Sequence, residues 1–352
     1  FMRTDKTVLC SEYDGLGLSV LSVEPEGVCK GVVQISHGMA EHKERYLPFM
    51  EYLAEHGYAA VIHDHRGHGE SVRKPEDLGY FYEGKDLAVV EDLHQVTKWA
   101  KKKFPQKEFY MLGHSMGSLA ARVYLKTYDY ELDKLVLTGP PCKNPAVGLG
   151  LAFARLQKRI KGGTYKSREI DTLAFGGFVA KFPEEKHKTS WIAADKSVVE
   201  AYDASGLCGF PFTTDGFEGL FLLMKHAYEK KGWKLQNPGL PVLFLAGEED
   251  PCAGNGRQFV KELQFLKQAG YKQVTGKRYP GMRHEILNEK EKIQVYANIV
   301  AYEGEDVYKI QASGAFRTGK RKLSVRGNAG RKTAGFQNSG VEGNSKSQTG
   351  RI

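Results

Sequence analysis

Cysteine is scarce and unpatterned in this chain of 352 residues: Cys10, Cys29, Cys142, Cys208 and Cys252 are odd in number and never fall in C-x-x-C spacing. That argues against a disulfide framework or a cysteine-bound zinc and for a reducing, cytoplasmic compartment. Long apolar runs are missing too: none approaches the ~18 residues of a membrane span. The opening FMRTDKTVLC has no apolar core of the kind a secretory leader carries, so no signal peptide is expected. Phe1 ahead of Met2 reads as a scar or a fragment boundary. No internal repeat is visible, which removes solenoids and propellers.

Acidic residues are in deficit, 42 against 51 basic ones, a net +9 that hints at nucleic acid until its position is considered. Residues 313–352 carry nine Lys and Arg and one acid, Glu342, or +8, leaving +1 for the rest. The body is near neutral and the tail is basic. Rich in Gly, Ser and Asn, that tail (309–352) cannot bury enough apolar surface to offset its ordering entropy and is expected to be disordered. It reads as an extension, with an anionic lipid or nucleic acid as its alternative partner; for the body, no nucleic acid is expected.

What is present is an alternation. Unbroken apolar runs at 31–36 (GVVQIS), 58–63 (YAAVIH), 108–113, 134–138 (KLVLT) and 241–247 (PVLFLAG), with a more polar one at 273–279, are separated by helical patterns at 46–56, 86–104, 116–127, 255–269 and 289–301. This is the signature of an α/β fold, a mostly parallel sheet covered by helices on both faces. Segments 6–11 and 16–23 read as an antiparallel hairpin leading in. The alternation fails from 142 to 235, an aromatic-rich helical stretch. The expected organisation is therefore a core of 1–141 and 236–308 with 142–235 as an inserted cap, over the carboxyl ends of the strands where such sheets bind ligands.

One run ends abruptly: EFYMLGHSMGSLAARVYLKTY stops at Gly113-His114-Ser115-Met116-Gly117 and restarts as a helix. G-x-S-x-G is the pattern of a nucleophile elbow, a strained turn that exposes a serine. An ordinary glycine-rich turn also matches it, so the other parts of an acyl-transfer site must be found. Ser115 is the candidate nucleophile. His284, the only histidine after His226, is the candidate base. Asp250, in GEEDPC, is the candidate orienter, ahead of Glu248, Glu249 and Asp64. The chain order Ser, Asp, His is that of an α/β-hydrolase. Backbone amides of Met116 and Met39 are the candidate oxyanion donors, the latter in the loop after the 31–36 strand. The cluster HDHRGHGES holds three histidines, yet H-x-H-x-x-H matches no zinc pattern. Asp64 and Arg66 read there as loop anchors, as do His42 and Arg45 nearby, and His114 reads as packing.

Together HGMAEHKERY, HDHRGHGES, GHSMGS, GEED and RHEILNE resemble the monoacylglycerol lipase and lysophospholipase group of α/β-hydrolases, in the serine aminopeptidase S33 neighbourhood, over roughly residues 5–305. Residues 191–213 are similar to the cap of its bacterial members. The resemblance implies a helical cap forming an acyl tunnel over Ser115, and the same roles for Ser115, Asp250, His284, Met39 and Met116. Two features depart from it: Ala40, where many members have Gly, and the basic tail. The expectation is a cytoplasmic serine esterase of single-chain lipids, monoacylglycerols or lysophospholipids, with no cofactor or metal and with transient membrane contact through the cap. The alternatives are an S33-type aminopeptidase, using Glu184, Glu185 or Asp195 to hold a substrate amine, a short-chain carboxylesterase, or a non-catalytic protein binding anionic surfaces through its tail.

Overall fold

The computed structural model describes residues 2–304, so the basic tail at 309–352 and the end of the expected core lie outside the described residues. The hairpin is present as β1 (Arg3–Cys10) and β2 (Gly17–Glu24), paired antiparallel from Arg3 opposite Glu24 to Cys10 opposite Gly17. The apolar runs follow as β3 (Gly31–Ser36), β4 (Tyr58–His63), β5 (Glu108–His114), β6 (Lys134–Thr138), β7 (Pro241–Gly247) and β8 (Gln273–Tyr279). These six are mutually parallel, and one sheet of eight runs in the order β1-β2-β4-β3-β5-β6-β7-β8.

Helices α1 (Leu47–Glu55), α2 (Lys85–Lys103), α3 (Met116–Tyr128), α4 (Val147–Lys161), α5 (Arg168–Val179), α6 (Lys196–Ala204), α7 (Thr214–Ala227), α8 (Gly256–Ala269) and α9 (Lys292–Gly304) complete the described fold. Successive strand residues point to opposite faces, and both faces are buried. Val32 packs in one cluster with Leu93 of α2, Leu119 of α3 and Phe259 of α8. Its neighbour Val33 packs in another with Leu53 of α1 and Ile299 of α9. That double coverage is why the strands read as unbroken apolar runs rather than alternating ones.

Element ends differ from the sequence expectation by a few residues, each with an identifiable cause. Asn255 is the cap of α8 rather than its first residue, its side chain accepting from the amides of Arg257 and Gln258 in a capping box. Helix α9 starts at Lys292 rather than 289 because the Glu289 carboxylate is turned onto the backbone amides of Arg283, Ala194 and Asp195. The stretch between β6 and β7 is helical, as its composition suggested. Helix α4 lies along α7, and α7 is buried nearly throughout against α2 and α3. Among the described residues no helix is long and apolar enough to cross a membrane.

Candidate active site

Four parallel strands, β3, β5, β7 and β8, deliver the site at their carboxyl ends. β5 runs into Ser115, whose φ of 52° and ψ of −117° are strained for a residue with a side chain. The elbow is this tight because the backbone passes where side chains would be. A Cβ added to Gly117 would lie 1.9 Å from the Ser36 carbonyl oxygen, and one on Gly113 would lie 2.7 Å from the Gly117 oxygen. The serine's exposure is thus written by two glycines that let α3 sit against β3 and β5.

Ser115 Oγ lies 2.8 Å from His284 Nε2, and His284 Nδ1 lies 3.0 and 3.1 Å from the two Asp250 carboxylate oxygens. Asp250 is itself fixed by the Cys252 amide, which donates to its Oδ1 at 2.8 Å. His284 and Asp250 are both buried, while Ser115 is half-buried. Burial works against an imidazolium at His284, but the adjacent Asp250 charge, with Glu285 and Glu41 behind it, wins and raises its pKa above 6.5. The ring of His114 packs 4.8 Å from that of His284, and burial pushes its pKa down to about 3, so it stays neutral while bonded to Thr138 Oγ1.

Met116 begins α3, so its amide has no carbonyl four residues back to bond. Met39 lies in the loop after β3, and both residues face the same cavity as Ser115. That cavity, about 770 Å³, runs under the 142–235 segment and is lined by Leu119, Phe175, Phe178, Trp191, Phe210 and Phe221 among others. Trp191 packs over His284, their ring centroids 4.9 Å apart.

The rival carboxylates are elsewhere occupied. Glu248 and Glu249 are exposed, and Asp64 accepts from the Lys43 ammonium at 2.7 Å and from the Lys43 and Glu70 amides. The histidine cluster is a buried set of neutral rings. Desolvation lowers the pKa of His63 to about 3 and of His68 to about 4, and that of His37 and His65 well below 6.5. Arg66 holds Asp92 and Asp14, anchoring the loop as the sequence suggested. Asp250, Cys252 and His284 offer metal-ligand atoms within 4.8 Å of one another. However, the first and third bond each other, and burial raises the Cys252 thiol well above its usual range, against the thiolate a metal needs.

Sequence reasoning treated Arg45 as a simple anchor and missed what it joins. Its guanidinium donates to Glu41 at 2.6 Å and, as a two-pronged fork, to Glu285 at 2.8 and 2.6 Å. Only Glu41 and Arg45, four apart, carry a sequence signal; Glu285 is 240 residues away from Arg45.

Comparison with known proteins identifies the family. Residues 27–291 match the family described as Serine aminopeptidase, S33. A monoglyceride lipase of Rattus norvegicus is 33% identical over 286 residues, 78% of this chain and 86% of that one. A monoacylglycerol lipase of Mycolicibacterium smegmatis is 26% identical over 79% of this chain and 89% of its own. The crystal structure of a thermostable carboxyl esterase from Bacillus coagulans superposes with a TM-score of 0.81 at 24% identity, over 87% of this chain and all of that one, and so shares the fold. With three quarters of its length matched, and with an eight-stranded, mostly parallel sheet carrying the serine at an elbow, the chain belongs to the serine aminopeptidase S33 family of α/β-hydrolases.

Proposed function

We propose that this chain hydrolyses carboxylic esters of single-chain lipids, monoacylglycerols or lysophospholipids, through Ser115, His284 and Asp250. The observation that carries the reading is the 2.8 Å Ser115–His284 hydrogen bond opening into an aromatic-lined cavity of about 770 Å³. A neutral serine is a weak nucleophile and needs a base within hydrogen-bond reach. His284 Nε2 takes the Oγ proton as Oγ attacks the ester carbonyl, and Asp250 holds Nδ1–H and stabilises the imidazolium. The Met39 and Met116 amides receive the oxyanion. His284 then gives its proton to the departing alcohol, leaving an acyl-serine, and a water repeats the sequence to release the fatty acid. No cofactor enters any step. In this reading residues 142–235 are the cap over a core of 1–141 and 236–308, and the aromatic side chains beneath it take the acyl chain.

Transient contact of the cap with a lipid surface is part of the proposal. Leu149, Phe153, Leu156 and Ile160 recur at one-turn spacing along α4 and are 77, 36, 53 and 72% exposed, an apolar stripe facing solvent. Leu156→Ser with Ile160→Ser should weaken binding to phospholipid vesicles while leaving turnover of a soluble short-chain ester intact.

The peptidase alternative needs a carboxylate in the cavity for a substrate amine. Glu184 is exposed, Glu185 pairs with Arg283 at 3.0 Å, and Asp195 caps α6, and none of the three lines the cavity. Asp171 of α5 does line it, which keeps an aminoacyl arylamide in the assay. The test is a series from short aryl esters through long-chain monoacylglycerol and lysophospholipid to that arylamide, with Ser115→Ala alongside. Rates rising with chain length and abolished by Ser115→Ala support the reading. Ser115-dependent turnover of the arylamide alone would replace it with the peptidase.

A further inference from the structure

We propose that the cap sets the oxyanion hole: Tyr202 and Gly209 grip the loop that carries Met39, and Glu41 with Arg45 locks that loop to the His284 loop. The inference rests on the esterase reading above and goes beyond it by assigning positioning residues.

The loop from Gly38 to Glu41 has little regular structure to hold it, yet the amides and carbonyls of Gly38 and Ala40, on either side of Met39, all have partners. The Gly38 amide donates to Glu41 Oε1 at 2.5 Å, and the Gly38 carbonyl lies 2.8 Å from His37 Nδ1. The Ala40 amide donates to His68 Nε2 at 3.1 Å. Two groups from the 142–235 segment converge on the Ala40 carbonyl: the Tyr202 hydroxyl and the Gly209 amide, each at 2.9 Å. Ala40 has φ of 50°, the left-handed region that disfavours a side chain, so its conformation depends on what surrounds it. The clamp from the cap is one of those supports; it holds the Ala40–Glu41 peptide, two peptide units beyond the one that carries the Met39 amide, with the intervening Ala40 amide held by His68.

The second half of the circuit runs through Arg45. Its guanidinium lies 4.9 Å from the Tyr202 ring centroid and joins Glu41 to Glu285, the residue after His284. Tyr46 donates its hydroxyl to Glu41 Oε1 at 2.9 Å. Glu41 thus receives three donors, the Gly38 amide, the Tyr46 hydroxyl and the Arg45 guanidinium. The Glu285 amide in turn donates to the carbonyl of Ile192, in the cap, at 2.7 Å. Glu41, Glu285 and Tyr202 are all buried. The cap therefore touches both the oxyanion loop and the base loop, with the half-buried Arg45 guanidinium between them. Displacing it would free the Ala40 carbonyl and the Tyr202 ring at once.

The test uses a ligand that needs the oxyanion hole. An alkyl trifluoromethyl ketone accepts Ser115 Oγ at its carbonyl carbon, the serine proton passes to His284, and the ketone oxygen becomes the bound oxyanion. A long-chain alcohol fills the same tunnel without it. For Tyr202→Phe, which removes one hydroxyl and keeps the ring, kcat and trifluoromethyl ketone affinity should fall together by about fivefold to tenfold, the loss of one hydrogen bond. KM and alcohol affinity should stay within about twofold. Arg45→Lys, which keeps the charge and loses the fork, and Glu41→Gln should do the same by larger factors. Equal losses for ketone and alcohol would make these residues cap packing only, and no loss for either would remove them from the machinery; both outcomes overturn the inference. If instead Ser115→Ala leaves ester turnover and ketone affinity unchanged, the esterase reading itself has failed.

Discussion

Gly117→Ala adds a single methyl carbon where the structure leaves no room for one. The added Cβ would stand 1.9 Å from the Ser36 oxygen, 2.5 Å from the Ser36 carbonyl carbon and 2.6 Å from the His37 oxygen. Unstrained contact needs about 3.5 Å, so the clash demands roughly 1.5 Å of movement. All three atoms are backbone, so no side chain can swing aside. Either α3 backs away from the end of β3, carrying the Met116 amide and Ser115, or β3 yields and carries the His37–Met39 turn. Both routes shift one oxyanion donor relative to the other. A misplacement of about 1 Å costs on the order of 10²-fold in rate, and overpacking of this kind costs about 1–3 kcal/mol of stability. Esterase assays and thermal melts on Gly117→Ala should therefore show a kcat at least about 100-fold down with Tm several degrees lower. As a control, Gly148→Ala in α4, where nothing lies within 4 Å of the added Cβ, should leave kcat unchanged and should not lower Tm. Full kcat and an unaltered Tm in Gly117→Ala would refute the argument that this glycine exists to let α3 approach β3.

Asp250→Asn removes the charge that holds His284 in its working tautomer and should lower kcat by about 10⁴ with little change in KM, measured on a soluble aryl ester. The base must be neutral to act, so the wild-type rate should fall as pH drops through a His284 pKa that its carboxylate neighbours raise above 6.5. An acid limb centred below pH 6 in the kcat/KM profile would contradict that placement. Stability should also decline on acidification. His37, His63, His65, His68 and His114 are buried with pKa values pushed below 6.5. Below pH 6.5 the unfolded chain therefore binds protons that the folded chain refuses. Each histidine contributes a loss of roughly 1 kcal/mol per pH unit down to its folded value, about 3 to 4 for His63, His68 and His114. The raised His284 offsets part of this loss. Urea unfolding at pH 7.5, 6 and 5 should show a falling midpoint, and a flat one would mean these rings take up protons without unfolding.

The strands and the serine turn were legible because their cause is local. A strand covered on both faces must be apolar throughout, so GVVQIS, YAAVIH and PVLFLAG declare both their type and their parallel setting. The elbow is equally local, since the glycines two positions either side of Ser115 answer to the backbone of β3 and α3 immediately beneath them. Asp250 and His284 were reachable through chain order and through their place just beyond strand ends, which is topology rather than side-chain chemistry. What stayed hidden has its cause far along the chain. The Glu289 carboxylate looks like the start of a helix until the Ala194 and Asp195 amides arrive to claim it. Tyr202 looks like one more apolar position of α6 until its hydroxyl meets the Ala40 carbonyl 162 residues away. In HDHRGHGES the sequence displays donors without showing which are desolvated, and so the histidines invite a metal where burial makes them neutral packing. The same limit bears on substrate: the aromatic character of residues 142–235 was evident, but which of its rings enclose Ser115 is decided by how the segment folds back over the sheet. Specificity here belongs to contacts that no spacing rule encodes, while the chemistry belongs to turns that one does.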